Sequence, residues 1–96
     1  MTFIKVIVID HNNNILYQDK YDEVIMVGEC IRNLCVNLCI DPDTVNGITR
    51  NINVYTNNKQ WNYSPNQSLK DLGNDVIKKN ELILSIILKE KDTETK

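Results

Sequence analysis

The sequence predicts an α+β domain in which a mixed sheet carries one helix packed on one face. The predicted order is ββαββ-turn-β, and three observations carry it. Phe3-Ile4-Lys5-Val6-Ile7-Val8-Ile9 is mostly β-branched, which suits an extended chain. Val27, Ile31, Leu34 and Leu38 recur at i, i+4, i+7 and i+11, the spacing of one buried helical face. Leu82-Ile83-Leu84-Ser85-Ile86-Ile87-Leu88 is a long apolar strand that follows the short Leu-x-x-Leu-Gly turn Leu69–Gly73 and a polar corner at 76–81.

Each element has a local reason. After the first strand, Asp10-His11-Asn12-Asn13-Asn14 is a turn, because Asn and Asp tolerate left-handed backbone and bond their own main chain. Ile15 to Tyr21 returns as the second strand of a hairpin. A helix is expected from about Ile25 to Cys39, with Asp22 as its cap and Glu23 in an early turn where the helix dipole favours an acid. Asp41-Pro42-Asp43 ends it, since proline biases its predecessor away from helical backbone. Residues 43–50 are expected to connect, turning at Gly47. Ile52 to Tyr55 is a third strand, Asn57-Asn58 a hairpin turn, and Lys59 to Tyr63 a short fourth strand at an edge. Ser68 to Leu72 is one helical turn closed by Gly73, and Glu81 to Leu88 is the fifth strand. The first and fifth strands are expected to lie parallel at the centre of the sheet.

Ninety-six residues suit one domain, taken as 1–88, with the charged stretch 89–96 expected to fray. An apolar content of 42% is enough for a packed core. A net charge of −2 with scattered Lys and Arg argues against nucleic acid, which needs several cations on one face. The apolar runs 3–9 and 82–88 are too short to span a bilayer, so no direct membrane insertion is expected and a cytoplasmic location is.

The order of elements and the closing motif resemble the ubiquitin-like β-grasp fold over residues 3–88. Within it, the chain resembles the small YukD/EsaB proteins associated with type VII (WXG100/ESX) secretion. The resemblance lies in Tyr21-x-x-Val24-x-x-Val27, in Ile52-Asn53-Val54 before a polar hairpin, and in Leu69-x-Asp71-x-Gly73 before the last strand. It implies a non-enzymatic interaction domain, an accessory or regulatory component of a secretion machine. Its partner would be a larger cytosolic protein or membrane-complex component, or a second copy of the chain. A conjugated modifier or sulfur carrier ends in Gly-Gly just past the last strand; here Lys89 to Lys96 follows instead, which argues against that alternative. A third alternative is a β-grasp subunit of a multicomponent enzyme. Ubiquitin's own recognition patch uses outward apolar residues on its third and fifth strands, and the matching positions here are about Asn53 and Ser85, both polar.

No catalytic or cofactor site emerges. Cys35 and Cys39 stand four apart on the expected helix and share a face, but structural zinc takes four ligands, and the remaining Cys30 and His11 make no recognisable motif. The three cysteines are read as apolar filling, and no metal is expected. His11 lacks the acid and nucleophile that a catalytic base needs. Asp41 and Asp43 lack calcium-loop spacing. Trp61, Tyr63 and Tyr55 suit either a recognition patch or cross-strand packing.

The outer sheet face is the strongest candidate surface. A sheet covered on one side should alternate apolar-in and polar-out. Ile4, Val6 and Val8 face one way on the first strand, and Leu82, Leu84, Ile86 and Leu88 on the fifth. Ile7, Ile9, Ile83 and Ile87 are left for the other side. They are expected to form an exposed apolar patch, the mark of a binding surface, with Trp61 and Tyr63 as the second candidate surface.

Overall fold

The structure is a computed structural model and describes residues 2–89. The charged tail expected at 89–96 lies outside them, apart from Lys89. The elements are β1 (Phe3–Ile9), β2 (Ile15–Asp22), α1 (Val27–Asn37), β3 (Thr44–Val45), β4 (Ile48–Thr49), β5 (Ile52–Thr56), β6 (Lys59–Gln60), a 3-10 turn (Leu69–Asp71), β7 (Ile77–Lys78) and β8 (Glu81–Leu88). The main sheet runs β2-β1-β8-β5-β6, with β7 also paired to β8. β1 and β8 are parallel at its centre, from Lys5↔Glu81 to Val8↔Leu84. This is the ubiquitin-like β-grasp arrangement.

The core forms where α1 crosses the sheet. Val27, Cys30, Ile31, Leu34 and Cys35 of the helix meet Ile4, Val6, Val8, Leu82 and Leu84 of the central strands, with Ile52, Val54 and Leu69 closing the sides. Burial of the two helical thiols pushes Cys30 up to about 12 and Cys35 up to about 11. Desolvation disfavours the thiolate, so both are neutral filling at ordinary pH.

The helix differs from expectation at both ends. Its cap is Met26, which makes no side-chain bond. The first helical N–H groups donate to carbonyls of a distant loop instead, Val27 to Gln67 at 2.7 Å and Gly28 to Pro65 at 3.1 Å. Asp22 ends β2, and its Oδ1 accepts the Val24 N–H at 3.1 Å in a local turn. Glu23 precedes the helix, and Glu29 is the acid in the first turn. The C-terminus comes at Asn37, and Cys39 adopts left-handed backbone at φ 63°. Cys35 and Cys39 therefore share no helical face. Cys35 is buried and Cys39 exposed.

Residues 43–50 hold a hairpin that was expected to be a connection. β3 and β4 pair as Thr44↔Thr49 and Val45↔Ile48 around Asn46 (φ 52°) and Gly47 (φ 81°). Two consecutive left-handed residues are the turn that matches strand twist. Asn57-Asn58 and Lys79-Asn80 make the same turn before β6 and β8.

Candidate functional site

The inward residues of β1 and β8 fix the composition of the other face by alternation. Lys5 and Ile7 point outward from β1, and Glu81, Ile83, Ser85 and Ile87 from β8. Across β1 the register adds Lys20 opposite Lys5 and Gln18 opposite Ile7. Across β8 it adds Tyr55 opposite Ser85 and Asn53 opposite Ile87.

The expected isoleucine patch is present but not with equal weight. Ile83 is 46% exposed and Ile87 53% exposed. Ile9 is half-buried, and Ile7 only 8% exposed. The expectation of an exposed Ile7 is corrected. It stands on the central strand with Gln18 on one side and Ile83 on the other, and these neighbours close over it. Ile7 forms the floor of the patch.

One shallow hollow lies on this face, and a second wraps the end of β8 toward the opposite face, where Ile40 also lines it. Ile9, Tyr55, Ile83 and Ser85 line the first beside the Asn57-Asn58 turn. The other, about 620 Å³, joins Ile9, Tyr55, Ser85 and Ile87 to Leu16, Ile86 and Leu88 where the register with β1 has ended. Ser85 is outward as expected. Its small polar side chain sits among Ile9, Tyr55, Ile83 and Ile87, so it lowers the surface without making the region polar. Leu16, 54% exposed, and Tyr55 were missed as members. The signal for Tyr55 was present in the alternation Ile52-Asn53-Val54-Tyr55.

Trp61 and Tyr63 lie elsewhere. Both are half-buried and pack against the core, with ring centroids 5.7 Å apart at 56°. The Tyr63 hydroxyl accepts the Thr49 N–H at 3.1 Å, and the Trp61 N–H donates to the Val54 carbonyl at 2.8 Å. They brace the β3–β4 hairpin against β5 and line a hollow that contains none of the four isoleucines. Only β6, not residues 61–63, continues the expected fourth strand.

No chemistry converges on these surfaces. Asp10 is held below the usual carboxylate range mainly by the Asn14 N–H, with the Asn12 N–H adding to it, at 2.9 and 2.8 Å. It organises the turn that carries exposed His11. Among the described residues there is no cluster of three or more His, Cys, Asp or Glu side chains suited to a metal. Nor is any helix there long and apolar enough to cross a membrane.

No protein-family model matches the chain, and no curated protein sequence matches it. Seven solved chains resemble it in fold. One is the UBL domain of yeast Ddi1, at 17% identity and a TM-score of 0.59, covering 95% of this chain and 94% of that one. Another belongs to the MycP5-free ESX-5 inner membrane complex in state II, at 14% identity and a TM-score of 0.47, covering 98% of this chain but 23% of that one. The likeness over nearly the whole of both chains to the Ddi1 domain shows that this chain has a ubiquitin-like fold.

Proposed function

We propose that the chain is a non-enzymatic interaction module that docks on a larger protein through the outer face of its sheet. The observation that carries this is the exposure of Ile83 and Ile87 where alternation calls for polar residues. Covering such a patch stabilises a complex at about 25 cal/mol per Å² of apolar area, before association costs are deducted. β8 is paired on both sides at Glu81–Leu82 and with β5 alone along Ser85–Leu88, so the Ile87 end of this face also presents an open strand edge.

We further propose that the partner belongs to a type VII-like secretion machine. The support is the sequence resemblance at Tyr21-x-x-Val24-x-x-Val27, Ile52-Asn53-Val54 and Leu69-x-Asp71-x-Gly73. Affinity capture from the native cell, with wild type beside Ile83→Lys, tests both statements. The proposal expects a secretion ATPase or membrane-complex component bound to wild type and lost from the variant. Retention of the same partners by a folded Ile83→Lys protein contradicts the docking face. Loss of an unrelated partner keeps the face and rejects the secretion role.

A further inference from the structure

β8 outruns the strand beside it. Its parallel register with β1 ends at Val8↔Leu84, whereas its antiparallel register with β5 continues from Tyr55↔Ser85 to Ile52↔Leu88. Past Ile9 the chain turns away through residues 10–14 into β2. Among the described residues no strand pairs with residues 85–88 on the β1 side. The Lys89 N–H donates to the Asn51 carbonyl at 2.9 Å, which sets the phase of the ladder with β5. In an antiparallel pair every second residue exchanges bonds with its neighbour, so Ser85 and Ile87 also turn their backbone groups toward β5. Ile86 and Leu88 turn theirs the other way, into the gap past the end of β1. Both sides of that gap are apolar. Ile9 and Ile87 stand toward the outer face, Ile40, Ile86 and Leu88 toward the helix, and Leu16 across from them on β2; all six line the hollow of about 620 Å³.

We infer that this gap receives an extended segment of the partner, which adds a strand to β8 beside Ile86 and Leu88. The inference rests on the docking reading above and names what the partner offers at the Ile87 end. The backbone selects a strand, because the N–H and C=O groups of Ile86 and Leu88 repeat at ladder spacing along an open edge. Main-chain bonds of this kind hold a peptide, and the pockets for its side chains choose the sequence. Successive side chains of a strand point to opposite faces. Both faces of the gap are apolar, so the segment carries consecutive apolar residues and not an alternating pattern. The four residues of open edge measure ~13 Å and limit the run to about four residues.

The test is amide exchange and peptide titration, followed by NMR on the isotope-labelled full chain. The probes are three short peptides with Lys and Ser flanks. One carries a central Val-Ile-Val-Ile run, one the same residues alternating with Ser, and one the run with its backbone N-methylated. In the dilute free chain the Ile86 and Leu88 amides should exchange fast and the Ser85 and Ile87 amides slowly; the run peptide should protect Ile86 and Leu88. The alternating and N-methylated peptides should bind about fivefold or more weakly. Leu88→Pro removes one N–H that faces the gap and keeps the bonds to β5, so it should weaken the run peptide by about the same factor. If that variant does not fold, the N-methylated peptide makes the same distinction on the wild type. Protection of Ile86 and Leu88 in the dilute free chain would mean that the chain closes its own edge, and overturns the inference. So does a run peptide that fails to bind, or one indifferent to N-methylation. Ile83 lies outside the gap. Peptide binding lost with Ile83→Lys and kept with Leu88→Pro rejects the strand and leaves the docking face standing. Cellular capture by Ile83→Lys that matches wild type rejects the face and leaves the strand to be judged by the peptides. Protection that grows with protein concentration alone, and vanishes with Leu88→Pro, would replace the partner segment with a second copy of the chain.

Discussion

Replacing Ile7 and Ile83 one at a time separates burial from position. The two residues are register partners in neighbouring central strands, on the same face and of the same chemistry. They differ in exposure, 8% against 46%. Ile→Ala at a buried site removes three carbons and leaves a cavity, at about 2–5 kcal/mol. Ile7 is bounded on one side only by a thin outer layer, so about 2–3 kcal/mol is expected. Ile83 already has nearly half its surface in water, and its loss should cost about 1 kcal/mol or less. With an m-value of about 1 kcal/mol/M for a domain of this size, the urea midpoint falls by about 2–3 M for Ile7→Ala and by under about 1 M for Ile83→Ala. Urea melts followed by Trp61 fluorescence measure both. Equal midpoints would refute the distinction between floor and surface, and a larger loss for Ile83 would invert it.

Other consequences follow from the core and its clamps. Leu34, fully buried beneath the sheet, should cost about 2–5 kcal/mol as Leu34→Ala; a urea-melt change under half a kcal/mol would mean the helix packs by another face. Gly28→Ala places a methyl against the Gly47 carbonyl oxygen and 2.8 Å from Pro65 Cβ, so α1 or the β3–β4 hairpin must shift. A loss of about 1–3 kcal/mol is expected, and wild-type thermal stability would contradict the close approach. The folded Cys30 pKa is raised, from 9.0 to about 12, so its contribution is fully present below pH 9 and is lost as pH rises toward 12. The decline attributable to one such thiol is at most about 1.4 kcal/mol per pH unit. Cys30→Ala should flatten stability against pH in that window, and an unchanged slope would place the alkaline sensitivity elsewhere.

The long elements were legible because their own residues specify them. The β-branched run of β1, the long apolar run of β8, interrupted only at Ser85, and the four-point stripe of α1 leave little choice of structure. The helix cap was not legible, because its N–H groups are satisfied by Pro65 and Gln67, some forty residues away in sequence. Asp22 offered a local signal that β2 uses for its own turn. β3 and β4 were missed because two residues per strand carry no alternation, though Asn46-Gly47 marked the reversal. The outward isoleucines followed from period-two alternation. Alternation does not say how far a neighbouring strand covers an outward side chain, and that hid the burial of Ile7. Trp61 and Tyr63 were ambiguous for the same reason: aromatics serve hairpins and interfaces alike, and here both are half-buried against the core.

Site-specific photo-cross-linking in the native cell tests the docking face most directly. A cross-linking side chain replaces Ile87 on the outer sheet face or, as the comparison, Val36 on the exposed side of α1. The account predicts a discrete adduct with one larger protein from position 87, none from position 36, and loss of the adduct on Ile83→Lys. Adducts from position 36 alone, or from position 87 unchanged by Ile83→Lys, would contradict it.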